Sequence, residues 1–427
     1  MDRRTALWIV ASLLIGLLVG TAGMSAVAGA RPRAAQIGPA APAPTGTPAG
    51  RLAPSSKNVF RAYGADVYLT AIAVSQLVYP GARTDAHPDA QPGVVILAPA
   101  GPELAPFYAE ALPAAALIHH PRNGPVLFTA PDRLNPDTAA ELRRLNPKGG
   151  TDFPQVFVVG RVSSGVEGEV RALGFRTERL AGNTPEETAA VIDERLGRPA
   201  NVIVVRGDDP SYALPAVSWI AHMGDSSLLL TGRDRLPDAT LRTLKARGQP
   251  YSAYILGPES QISADVAREL SSEGGAREVV RIAGADPAET AVAFAQFRRG
   301  SFGWGNASEH DFYLVAPGHW PEAVAGALTS HLGGHGPLLV AGPENNLPVA
   351  TRRYLESVRP TFANDDPTQA RLNRGYLIAA PDVVSFDQQA EVDWLVESMP
   401  EGDQMPGMPA SAGTPSPGGA VGTPSTH

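Results

Sequence analysis

Three alanine-rich stretches of this chain close on histidine. "YAEALPAAALIHH" ends at His120, after His119; "YALPAVSWIAHM" carries His222; "WPEAVAGALTSHL" carries His331. Imidazole titrates near neutral pH and ligates metals as the neutral base. If the fold makes three such rings converge, they offer a metal site or a pH-dependent anion site. Left apart, each is a cation at a helix C-terminus, favoured by the macrodipole. The local reading needs no ligand, and no metal is assigned on this pattern. Arginine is the second candidate chemistry. Arg133 in "TAPDRL" and Arg235 in "TGRDRL" hold matching positions, with Arg233 beside the latter, whereas the third copy, "AGPENNL", has Asn345 and Asn346. A guanidinium fork suits the phosphate or carboxylate of a polymer. The competing reading is helix capping or an exposed ion pair with Asp132 or Asp234, worth little.

Catalytic chemistry is poorly provided for. Glu110 and Glu322 could transfer protons, but the sequence specifies no partner for either. No GxxxxGK[ST], HExxH or GxSxG occurs. "GSFGWG" at 300–305 imitates a phosphate loop, yet it lies between a helix and a strand and reads as a flexible loop with an aromatic anchor. "NAS" at 306–308 has the pattern of a glycosylation acceptor. The absence of cysteine excludes disulfides, thiol catalysis and Cys-ligated zinc. A net charge of −8 argues against a nucleic-acid partner, although a local basic groove can still hold an acidic polymer. No active site and no cofactor are expected.

Stepping from these residues to what must position them, a tripled phrase stands out. "RAYGADVYLTA" begins at Arg61, "RLAGNTPEETA" at Arg179 and "RIAGADPAETA" at Arg281, 118 and 102 residues apart. Gly64, Gly182 and Gly284 fall at a strand-to-helix turn. Asp66, Thr184 and Asp286 read as N-caps. Glu187 and Glu289 stand at capping-box spacing, with Pro185 and Pro287 in the first helical position. Thr70, Thr188 and Thr290 follow in the first turn. The phrase is therefore a structural signature. Around it the same order recurs: strand, helix, buried strand ("GVVILAP", "NVIVVRG", "DFYLVAP"), alanine-rich helix, leucine-rich strand ("PVLFT", "SLLLT", "PLLVA"), helix, strand, helix. Strict alternation with continuous apolar strands predicts parallel sheets covered by helices on both faces. The expected fold is α/β, with three tandem small doubly wound repeats over 58–178, 179–280 and 281–398.

This ordered set, repeated three times across about residues 58–398, resembles the cell wall-binding repeat 2 family of bacterial surface proteins. The resemblance implies a pseudo-threefold array that attaches non-covalently to anionic wall polymers, with a Pro-Ile-Leu-Leu-like segment in each repeat important for anchoring. Carried onto this chain, the implied segment is Pro125, Val126, Leu127 and Thr129 in the first repeat. In the second it is Leu228, Leu229, Leu230 and Thr231, with Ser227 replacing proline. In the third it is Pro337, Leu338 and Leu339, with Ala341 replacing threonine. Arg133 and Arg235 join the polymer-binding set because ligands of parallel sheets bind at the carboxyl ends of strands. The chain departs from the family at Tyr68, Glu186 and Ala288, where an arginine is usual. It only approximates the usual Asp-Ala-Leu with Glu110-Ala111-Leu112 and Glu322-Ala323-Val324.

The termini bear on location. Arg3 and Arg4 precede an apolar run from Ala6 to about Val27, long enough to span a bilayer with the N-terminus inside. "AVA" at 26–28 and "AGA" at 28–30 equally fit a signal-peptide cleavage site. Residues 1–30 are thus a signal-anchor or signal peptide, 31–57 a Pro/Ala-rich linker, and 399–427 a disordered tail. The expected protein is an exported component of the cell envelope, membrane-tethered or secreted, that binds a teichoic-acid-like or acidic polysaccharide polymer and could partner other surface proteins. Two rivals remain: an enzyme acting on wall polysaccharide, which needs paired carboxylates, and a small-ligand receptor with a hinge cleft.

Overall fold

Continuous runs of aliphatic and aromatic residues form strands buried on both faces, as in a covered parallel sheet. The computed structural model describes residues 52–53, 55–81, 91–101, 103, 107–305, 311–342, 345–362 and 373–400. The expected membrane segment at 1–30, most of the linker, the "NAS" pattern and the tail beyond residue 400 lie outside the described residues. Among the described residues no helix is long and apolar enough to cross a membrane.

Three parallel sheets form the fold. The first holds β3 (Val95–Pro99), β4 (Val126–Thr129), β5 (Val156–Val159) and β6 (Thr177–Leu180) in the order β4-β3-β5-β6. The second holds β7 (Asn201–Arg206), β8 (Ser226–Thr231), β9 (Ser252–Leu256) and β10 (Glu278–Ile282) in the order β8-β7-β9-β10. The third has the order β12-β11-β14-β2, built from β2 (Val59–Ala62), β11 (Phe312–Val315), β12 (Leu338–Val340) and β14 (Gly375–Ile378). A short β1 (Leu52–Ala53) runs antiparallel beside β2, and β13 (Thr361–Phe362) pairs with β15 (Met399–Pro400) apart from the main sheets. The architecture is α/β with parallel sheets.

The tripled phrase marks the crossing from one sheet to the next. Its strand completes one sheet, and its helix packs on another. Helix α1 (Val67–Val78) follows β2 but lies on β4 and on α3 (Pro136–Leu145). Helix α5 (Pro185–Arg195) follows β6 but lies on β8 and α7 (Asp238–Lys245). Helix α9 (Pro287–Gln296) follows β10 but lies on β12 and α11 (Val349–Ser357). The remaining outer helices are α4 (Ser164–Ala172), α8 (Ala264–Ser272) and α12 (Phe386–Leu395).

Each crossing has the same hydrogen bonds. The amides of Gly64, Gly182 and Gly284 donate to the hydroxyls of Thr70, Thr188 and Thr290 at 3.0, 3.0 and 2.9 Å. Asp66, Thr184 and Asp286 cap their helices by accepting from Leu69, Glu187 and Glu289 amides. Glu187 and Glu289 reach back to the amides of Asn183 and Ala285, one residue before the cap and not the cap itself. The glycines have ordinary φ; their requirement is space, since a Cβ at Gly284 would overlap Glu289 Cβ and lie 2.7 Å from Thr290 N. The arginine ties the crossing strand to the last loop of the sheet it completes. Arg179 donates to Glu167, Val162 O and Ser163 O, and Arg281 to Gly257 O and Ser263 O. Arg61, fully buried, donates to Gln389 and to the carbonyls of Ala379, Val384 and Ser385. Strand β2 is thereby fixed into the sheet completed late in the chain.

The alanine-rich helices fill the centre. They are α2 (Tyr108–Ala114, continued by a 3-10 turn at Ala115–Leu117), α6 (Leu214–His222) and α10 (Trp320–His331). All three pack on one another, and small side chains allow the close approach. Each also covers the edge strand of another sheet, in a cycle: α10 over β4, α2 over β8 and α6 over β12. The Trp320 ring meets Phe128 of β4 edge-on at 5.6 Å. Edge strands that would otherwise offer unpaired backbone to solvent are thus covered.

Candidate functional site

The carboxyl ends of the parallel strands gather the loops in which ligands of such sheets bind. The leucine-rich edge strands end there, but their side chains do not reach the surface. Pro125, Val126, Leu127, Leu228, Leu229, Leu230, Pro337, Leu338 and Leu339 are all buried, beneath alanine-rich helices contributed by other sheets. They are core residues that hold the following loops in place, and they do not present themselves to a polymer. Thr129 and Thr231 are buried as well, and their work is local. Thr129 Oγ1 donates to Arg133 O at 3.0 Å and accepts from Asn135 N; Thr231 Oγ1 is shared between Gly232 O at 3.0 Å and Arg235 O at 3.2 Å. Ser227, in the place of the usual proline, donates to Asp193 at 2.6 Å, and Asp193 forms a fully buried ion pair with Arg247 at 3.0 Å.

Each threonine clamp leaves its arginine side chain exposed. Arg133 and Arg235 project from equivalent loops after β4 and β8, and Asn345 and Asn346 are exposed after β12. Arg233 is engaged, with Asp234 at 3.4 Å and with Ser260 O. Tyr68 borders the first loop and donates to Ala100 O at 3.0 Å. Burial and the nearby Asp66 carboxylate raise its hydroxyl pKa, while Arg133 opposes the rise. The two glutamates at the starts of α2 and α10 each have a local partner. Glu110 is buried and accepts from Arg161 N at 2.8 Å while pairing with the Arg161 guanidinium. Glu322 meets His319 Nδ1 at 3.4 Å, which raises the His319 pKa.

The repeat pattern has a counterpart in a known family. The Cell wall binding domain 2 (CWB2) family model matches residues 61–166 and 179–267. Two segments of the chain thus resemble CWB2 repeats. It is 26% identical over 306 residues to N-acetylmuramoyl-L-alanine amidase LytC of Bacillus subtilis (strain 168), covering 71% of this chain and 54% of the amidase. It is 28% identical over 167 residues to the Amidase enhancer of the same strain, covering 38% of this chain and 21% of that protein. The chain therefore spans about half the length of the first relative and about a fifth of the second. Among solved structures, Cwp6 from Clostridium difficile is similar with a TM-score of 0.60 at 20% identity, covering 78% of this chain and 48% of that one. Cwp8 from Clostridium difficile is similar with the same TM-score and identity, covering 80% and 52%.

At the opposite end of the sheets, where the alanine-rich helices finish, the histidines meet. The rings of His119 and His331 are 5.1 Å apart, and His222 faces His335 with ring centroids at 5.3 Å. His120 is exposed beside them. His335, four residues beyond His331 in "HLGGH", has no counterpart at the other two helix ends. The "GSFGWG" loop reaches the same region and is pinned by both its aromatics. Phe302 stacks on Tyr254 at 3.6 Å, and Trp304 stacks on His222 at 5.0 Å.

Proposed function

We propose that this chain is an exported envelope protein whose three CWB2 repeats form a pseudo-threefold array that attaches non-covalently to an anionic cell-wall glycopolymer. Binding takes place at the strand-end loops, with Arg133 and Arg235 as the groups that meet phosphate or carboxylate. One observation carries this reading: two exposed guanidiniums stand at equivalent loops, each backed by a buried threonine that bonds the arginine's own carbonyl. A loop held in this way presents a rigid donor fork at little entropic cost on binding. The third loop, with Asn345 and Asn346, makes a weaker, uncharged contact. The N-terminal apolar segment tethers the array to the membrane or directs its export. The amidase and the Amidase enhancer among the relatives give an enzymatic role as the second reading, while Glu110 pairs with Arg161 and Glu322 meets His319.

Retention on purified walls tests the proposal. The protein should bind native walls and lose binding to walls stripped of acid-extractable polymer. The Arg133→Ala/Arg235→Ala double variant should keep its melting temperature and lose retention at least about tenfold, with binding that weakens as salt rises. Equal retention on native and stripped walls would overturn the reading.

A further inference from the structure

We propose that the histidines gathered at the ends of the three alanine-rich helices form a binding site for a divalent metal ion of the zinc–nickel class. Imidazole is the side chain best suited to those ions. The site draws on three segments distant in sequence: His119, His222, and His331 with His335.

Three geometric features support the assignment. First, His222 Nδ1 and His335 Nδ1 face one another at 3.5 Å. Two nitrogens bound at about 2.0–2.1 Å to a tetrahedral ion stand about 3.3 Å apart, so this pair is already near ligand spacing. Second, two of the other rings have one nitrogen fixed by a carbonyl-type oxygen. His119 Nδ1 donates to His120 O at 2.8 Å, and His331 Nε2 donates to Asn123 Oδ1 at 2.7 Å. Each bond leaves the remaining nitrogen as a free base, the arrangement that orients metal-bound histidines. Third, His331 is nine-tenths buried and its Nδ1 has no hydrogen-bond partner. A buried lone pair without a partner is costly, and a metal ion would satisfy it.

The electrostatics agree with the geometry. Burial, then repulsion from His119, His222, His335 and His120, pushes His331 down to about 3. Burial also lowers His119, so both are neutral ligands at ordinary pH. Arg122, a cation beside His119, is turned to the helix end, where it donates to Leu117 O at 2.9 Å and Ala116 O at 3.4 Å. Asp225 lends a negative charge beside His119. A cleft of ≈ 530 Å³ lined by His119, His120, Arg122, Arg195, Met223 and Asp225 opens beside His119; the other three histidines do not line it. Among the described residues no three ligands are already gathered as a preformed metal site. Closure requires the exposed His335, flanked by Gly334 and Gly336, and the half-exposed His119 to turn toward the His222 and His331 nitrogens.

The test uses the untagged full chain. Equilibrium dialysis against ZnCl2 at about pH 7.5 should give one Zn2+ per chain, and EDTA should reverse the accompanying rise in melting temperature. NiCl2 should quench tryptophan emission saturably, because Trp304 stacks on His222, and ZnCl2 should relieve the quenching. His222→Gln/His335→Gln should weaken both signals at least tenfold. His335→Gln alone, at an exposed position, should weaken them with no change in the metal-free melting temperature. His427→Gln should leave them intact. Equal metal uptake by wild type and His335→Gln, or no uptake by the wild type, overturns the proposal. Loss of metal binding leaves wall retention at the opposite end of the sheets unchanged, so the two proposals fail separately.

Discussion

At the scale of single residues, charge in this molecule is decided by burial. Arg247 and Asp193 are both fully buried, and the pair accepts a further bond from Ser227. Burial raises the Asp193 pKa in spite of Arg247, so the pair depends on its partner to stay ionised. Arg247→Ala should therefore destabilise the fold by about 3–5 kcal/mol, measured by urea unfolding, because it strands a buried carboxylate. His331 gives the same sign of pH dependence as an ordinary paired carboxylate, but through burial of a neutral ring and not through an ion pair. Its folded pKa, near 3, lies below the unfolded value of about 6.5. The folded state thus binds fewer protons. Its stability is fully present above about pH 6.5 and falls as pH drops toward 3, by up to about 1.4 kcal/mol per pH unit from this one group. His331→Gln should flatten the loss of melting temperature between neutral and mildly acidic buffer. The ring faces His119, His222, His335 and His120, with Arg122 and Asp225 close to His119, so no carboxylate in direct contact reverses the effect.

At the scale of elements, the crossing phrase acts as a unit of glycine, cap, threonine and arginine. Gly182→Ala or Gly284→Ala should cost about 1–3 kcal/mol through overpacking against the following helix, seen as a lowered urea midpoint with unchanged slope. The order of strands and helices was legible in the sequence because apolar periodicity and caps are local signals. Which sheet each strand joins was not legible. β6 and β10 pair with the strands before them while their helices leave for the next sheet, and that choice depends on partners far along the chain. The same reason hid the burial of Leu127, Leu229 and Leu339: the helix that covers each strand comes from a different repeat. Arg133 and Arg235 could be picked out because charged residues after a buried strand fall in strand-end loops. His335 could not, since it lacks a repeat partner and becomes informative only beside His222.

At the scale of the whole molecule, three sheets are joined in a cycle of helix-on-strand contacts, and β2 completes the sheet made by the far end of the chain. Arg61 is the bolt of that closure. Arg61→Ala should lower stability by about 3 kcal/mol or more, since it leaves buried carbonyls at Ala379 and Val384 without donors. Proteolysis of that variant should release the amino-terminal strand first, followed by loosening of the sheet that contains Tyr376. The closure also has a consequence in time. A strand at residue 59 cannot find its place until residues near 378 are available, so the sheet that holds both is the one whose closure waits longest during synthesis. A late strand thereby locks an early one.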